Sequence, residues 1–257
     1  MKKVDSKELK SPDKLQQELQ KGFQWSAQHS KLVGVLLLGF VVVGAGISAK
    51  SYLDEKKESE LQSKYYVIEK KLFDKKSAFQ VAEAAAARKD NKTPPPPNAE
   101  KSSGDFEKDY GPIATEFSTL IQEAPQSKAA KMAALNLSDI QLEYSKNQEA
   151  LELLKKVETG KKDLLSGMVQ TQLGTVQADL NDCGSALSTW SQVLNNASAK
   201  PLHAAVKLKQ GLCYESMKDF AKAEQMYTEA KTGEGEGETA TARTADKYLR
   251  LLQTAKK

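Results

Sequence analysis

The chain has 257 residues and a formal net charge of +4, from 38 basic and 34 acidic side chains, with two histidines and two cysteines. Seven lysines face four carboxylates in the first 49 residues, so the remainder is almost neutral, and only Arg88, Arg243 and Arg250 could supply the forked phosphate contacts of a nucleic-acid binder. That excludes nucleic acid as a partner. His29, His203, Cys183 and Cys213 have no zinc spacing, and no phosphate loop or calcium loop occurs, so no metal, cofactor, catalytic residue or enzymatic activity is indicated.

In residues 1–31, Asp13 is placed to cap a short helix on which Leu15, Leu19 and Phe23 share a face, with Trp25 at headgroup level. Residues 32–49 follow, LVGVLLLGFVVVGAGISA, without a charge and apolar all round. As a helix they would be about 27 Å long, close to the roughly 30 Å hydrocarbon core, which predicts a transmembrane helix. Gly44-Ala45-Gly46 and Gly46-Ile47-Ser48 also offer a signal-peptidase pattern, but thirty-one residues that include Asp5, Glu8, Asp13 and Glu18 precede the run, unlike a signal's n-region. Seven lysines before the run, against Lys50, Lys56, Lys57 and Lys64 after it, favour a cytoplasmic N-terminus.

Residues 50–88 read as a long helix, helix A of a first degenerate repeat, and 89–108 as a proline-rich linker disordered by composition, with Pro94 to Pro97 a solvated spacer. Residues 109–231 are helical throughout, rich in Ala, Leu, Lys, Glu and Gln, so the fold class is all-α. LSDIQLEYSKNQEALELLKKV (137–157), LGTVQADLNDCGSALSTWSQV (173–193) and QGLCYESMKDFAKAEQMYTEA (210–230) align at steps of 36 and 37 residues. Small residues fall at Ser138, Gly174 and Gly211 on helix A, and at Ala150, Ala186 and Ala223 on helix B, each of the latter followed four residues on by Leu154, Trp190 or Tyr227. Two helices cross closely only where one side of the contact is small, so these six are repeat-packing residues of a tetratricopeptide-like solenoid. Ala114, Ser118 and Ile121 extend the pattern one unit upstream. Residues 232–257 read as an acidic loop and a capping helix with Ala242, Ala245, Leu249 and Leu252 in helical register.

The concave positions of such repeats are Met132, Leu135, Asp139, Leu142 and Glu143, then Met168, Thr171, Thr175, Ala178 and Asp179, then Ala205, Leu208, Leu212, Glu215 and Ser216. They lack the Lys, Arg and Asn that would clamp a C-terminal carboxylate. Met132, Leu135, Met168, Leu208 and Leu212 instead suit apolar or incompletely folded segments. The first or last helix filling the groove remains an open alternative. Cys183 and Cys213 fall on packed neighbouring helices; two buried free thiols are expected, and a disulfide only in an oxidising compartment.

The polar leader with Phe23 and Trp25, Lys31 directly before one span, a charged helix directly after it, and degenerate repeats together resemble the YfgM family of ancillary subunits of the bacterial Sec translocon. The resemblance implies a single-pass inner-membrane protein with a periplasmic repeat domain. Its implied partners are translocon subunits, a membrane-anchored periplasmic chaperone and unfolded exported proteins. The insertion near residues 90–108 departs from that pattern. A coordinator of envelope biogenesis or cell division, and an exported soluble carrier, are the other readings.

Overall fold

The computed structural model describes residues 14–87, 96–233 and 239–255. The chain divides into two units, Met1–Lys57 and Glu58–Lys257.

In the first unit, α1 (Lys14–Gln28) stops one residue before α2 (Ser30–Ala86). Leu19, Phe23 and Trp25 are exposed, and the Trp25 ring stacks on His29 at 4.8 Å. The Asp13 cap and the Leu15 side chain lie outside the described residues. The expected span and the expected first repeat helix are not separate elements, since α2 runs through both. Leu32, Val35, Leu38, Phe40, Val41, Val42, Val43 and Ile47 are between 51% and 76% exposed. Counted over the described residues, no helix is long and apolar enough to cross a membrane.

The second unit continues α2 from Glu58 and adds α3 (Phe106–Glu123), α4 (Lys128–Glu143), α5 (Asn147–Val157), α6 (Leu164–Asp179), α7 (Cys183–Leu194), α8 (His203–Ser216), α9 (Phe220–Lys231) and α10 (Ala240–Ala255). A 3-10 helix, Ala197–Leu202, enters before α8, and no strand occurs among the described residues. The helix starts are written in the sequence: Asp105, Ser127, Asp163, Asp182 and Asp219 each accept a hydrogen bond from the backbone N–H three residues on, satisfying a donor the helix cannot. Glu58 adds its carboxylate to the N–H groups of Lys128 and Ala129 at 3.2 and 3.1 Å, joining α2 to the start of α4.

Helices pair through one repeated turn. Ser145, Asn181 and Lys218 have φ of 57°, 64° and 63°, at the same 36- and 37-residue steps as the sequence pattern. The residue after each sends its N–H back to Gln141, Gln177 or Tyr214, closing the helix end in a left-handed cap. Only Asn among the three suits that conformation. Lys218→Gly is therefore expected to stabilise the fold by about 1 kcal/mol, read as a higher urea midpoint at unchanged m.

Pairing buries the small residues as their spacing predicts. Ser138, Ala150, Ala186 and Ala223 are fully buried. A Cβ added at Gly174 would overlap the Trp190 ring, and one at Gly211 the Tyr227 ring. Upstream, Leu61, Tyr65, Ile68 and Leu72 of α2 join Phe117, Leu120 and Ile121 of α3 in the same core as α4 and α5.

The linker expectation, over 89–108, requires correction over 96–108, where α3 already begins at Phe106, while 88–95 lie outside the described residues. Glu100 N–H reaches Ala78 O at 3.2 Å, and Lys75 pairs with Glu100 at 2.5 Å. Asp109, 5% exposed, accepts hydrogen bonds from the hydroxyls of Ser102, Ser103 and Tyr144 and the N–H groups of Ser103 and Gly104. Composition marks this stretch as polar; it cannot show that one carboxylate gathers its donors. Burial opposes ionisation of Asp109, but those hydrogen bonds outweigh it and hold its pKa well below the usual carboxylate range. A depressed folded-state pKa stabilises above the unfolded value of about 3.9 and is lost as pH falls below it. The thermal midpoint should thus drop on acidification below about pH 4, and less steeply in Asp109→Asn.

Candidate partner-binding groove

The inner faces of α2, α4 and α6 enclose a concavity of about 490 Å3. Met132, Leu135, Leu165, Met168 and Leu202 give it apolar walls, and Tyr65, Asn136, Asp139, Thr171 and Gln172 its polar groups. Five of the predicted groove residues, Met132, Leu135, Asp139, Met168 and Thr171, meet here. They do so because residues three and four apart on a helix share a face, and the repeat sets α4 and α6 side by side.

The polar groups are tied down. Asn136 donates to the Tyr65 hydroxyl at 2.9 Å, and that hydroxyl donates to Glu69. Burial, then the Glu69 hydrogen bond, raises the Tyr65 pKa, so the ring is a neutral wall. Gln172 donates to Asp139 at 2.7 Å. Thr171 and Thr175 donate to carbonyls one turn back in α6, and Thr175 does not line the concavity.

Two other predicted residues are misplaced. Leu208 is half-buried and packs against the cluster of Ala223, Tyr227 and Leu252 on α9 and α10. Leu212, 39% exposed, does not line the concavity. The α9–α10 cluster thus takes up one position that the register assigned to the groove, and the concavity is lined by α2, α4, α6 and Leu202. Tyr65, Leu165 and Leu202 were not anticipated. Leu202 arrives on the 3-10 helix that lengthens the repeat beyond 34 residues, and Tyr65 on a first helix whose register no preceding repeat fixes.

Cys183 and Cys213 are bonded, with 5.5 Å between Cα atoms, which corrects the expectation of free thiols. Their helices were rightly paired, but pairing alone does not show that the two Cβ atoms meet. His203, the first residue of α8, places Nε2 3.1 Å from Val193 O, at the end of α7, a capping role. Among the described residues no group of His, Cys, Asp or Glu could hold a metal ion.

No family model matches the chain, and no curated protein matches it. Solved structures do. One, titled a crystal structure of MamA protein, is 17% identical, with a TM-score of 0.45 over 60% of this chain and 78% of that one. A tetratricopeptide repeat protein from Parabacteroides merdae is 17% identical, with a TM-score of 0.46 over 70% of this chain and 61% of that one. BtubC from P. vanneervenii is 11% identical, with a TM-score of 0.46 over 78% and 91%.

Proposed function

We propose that the chain is a non-enzymatic, membrane-anchored scaffold whose repeats hold protein partners in the concavity between α2, α4 and α6, in service of exported proteins. The observation that carries this reading is the concavity itself: Met132, Leu135, Leu165, Met168 and Leu202 converge there on a surface that the described residues leave open. Apolar side chains gathered in a concave surface release water when a partner segment enters, and methionine repacks around segments of differing shape.

Residues 32–49 would supply the anchor. They are uncharged, lie within an unbroken helix, and expose their described apolar side chains in a way water disfavours and lipid does not. The Cys183–Cys213 bond favours an oxidising compartment for the repeats, and hence a cytoplasmic N-terminus. With the resemblance to the YfgM family, this makes the Sec translocon and a periplasmic chaperone the partners to test.

The test is in-cell photocrosslinking from probes at Leu135 and Thr171, with a probe at Leu208, half-buried against the Tyr227–Leu252 cluster and outside the concavity, as control. Translocon subunits or periplasmic chaperones crosslinked at the first two positions support the reading. Envelope-synthesis or division proteins would move it to a coordinator of that machinery. A pattern no different from the Leu208 control would sink the groove.

A further inference from the structure

We infer that the occupant of this groove is an apolar peptide segment carrying one lysine or arginine, and that Asp139 receives that cation; this rests on the groove reading above. Asp139 stands on α4 among the apolar walls, so a segment seated on Met132, Leu135 and Met168 passes beside its carboxylate. The carboxylate accepts a neutral hydrogen bond from Gln172, 2.7 Å away. Among the described residues no lysine or arginine is paired with it. Lys76, whose charge acts on it, is paired with Glu143 at 2.6 Å.

Two charges act on Asp139 in opposite senses, Lys76 attracting and Glu143 repelling it, while Gln172 holds its orientation without neutralising it. Desolvation by the surrounding walls raises the Asp139 pKa, with Lys76 opposing and Glu143 adding to it, while the side chain itself stays exposed and open to a partner. An arriving cation would find an oriented acceptor beside an apolar seat. An arriving carboxylate would meet both Asp139 and Glu143. Charge therefore selects among apolar segments that the walls alone would accept equally.

The experiment uses the full chain and a fluorescein-labelled peptide, Ser-Gly-Leu-Phe-Lys-Leu-Met-Gly-Ser, beside versions with norleucine or glutamate in place of its lysine. Fluorescence anisotropy is expected to rank them lysine, norleucine, glutamate, with about a threefold to fivefold step from lysine to norleucine, as suits a partly exposed ion pair. Asp139→Asn should remove that step, and Asp139→Lys should reverse the order of the lysine and glutamate peptides. Leu135→Glu should weaken all three. If the three peptides bind alike to the unsubstituted chain, or the preference survives Asp139→Asn, the inference is overturned and the apolar groove stands. If none binds, the groove reading falls and the inference with it.

Discussion

Trp190→Ala is expected to lower the stability of the repeat unit by about 3–5 kcal/mol, the range for removing a large aromatic from a packed interior. Trp190 is 1% exposed, its ring lies against Gly174, and its Nε1–H donates to the Thr171 carbonyl at 3.1 Å. Truncation leaves a cavity between α6 and α7 that close-packed neighbours fill only in part. A two-residue cycle isolates the contact. Gly174→Ala alone gains helix propensity but drives a methyl group into the indole, a net loss of about 1–2 kcal/mol. Beside Trp190→Leu the same methyl group has space, and the propensity gain should survive. Urea unfolding of the four full-length chains, followed by circular dichroism, reads the coupling. Additive effects would show that Gly174 is not small for the sake of Trp190.

The periodicity of those contacts was legible because it is steric. Ser138, Gly174 and Gly211 each stand sixteen residues before Leu154, Trp190 and Tyr227, and the two glycines face the two aromatics. A repeat displays such a rule several times in one sequence. Features that occur once are harder to see. The Asp109 cage depends on where Ser102, Ser103, Gly104 and Tyr144 bring their donors, and no spacing announces it. Leu208 carries the same pattern as Leu135, yet one packs against the Tyr227–Leu252 cluster and the other lines the concavity; the pattern gives the face of a helix, not what lies across from it. The groove was thus half readable: its α4 and α6 walls follow from register, while Tyr65 and Leu202 come from the irregular first helix and the inserted 3-10 helix.

Loss of the Cys183–Cys213 bond is expected to cost about 3–4 kcal/mol. The bond closes a loop across 30 residues of separation, and opening it returns that loop's conformational entropy to the unfolded chain. Cys183 opens α7 directly after its Asp182 cap, and Cys213 is buried in α8, so the bond also ties one repeat to the next. Cys183→Ser, Cys213→Ser and the double variant should lose nearly the same stability, because each removes the one covalent link. Reductant should lower the urea midpoint of the unsubstituted chain and leave the variants unmoved. Equal midpoints with and without reductant would mean that the link constrains nothing the packing does not already fix. The same cysteines report on compartment. A chain alkylated in intact cells before lysis should show no modified cysteine until reductant is added if the repeats fold on the oxidising side of a membrane, whereas thiols open to alkylation at once would place them in a reducing one. That outcome would overturn the proposed orientation of residues 32–49 without touching the groove, since Leu135 and Met168 meet in the same concavity on either side.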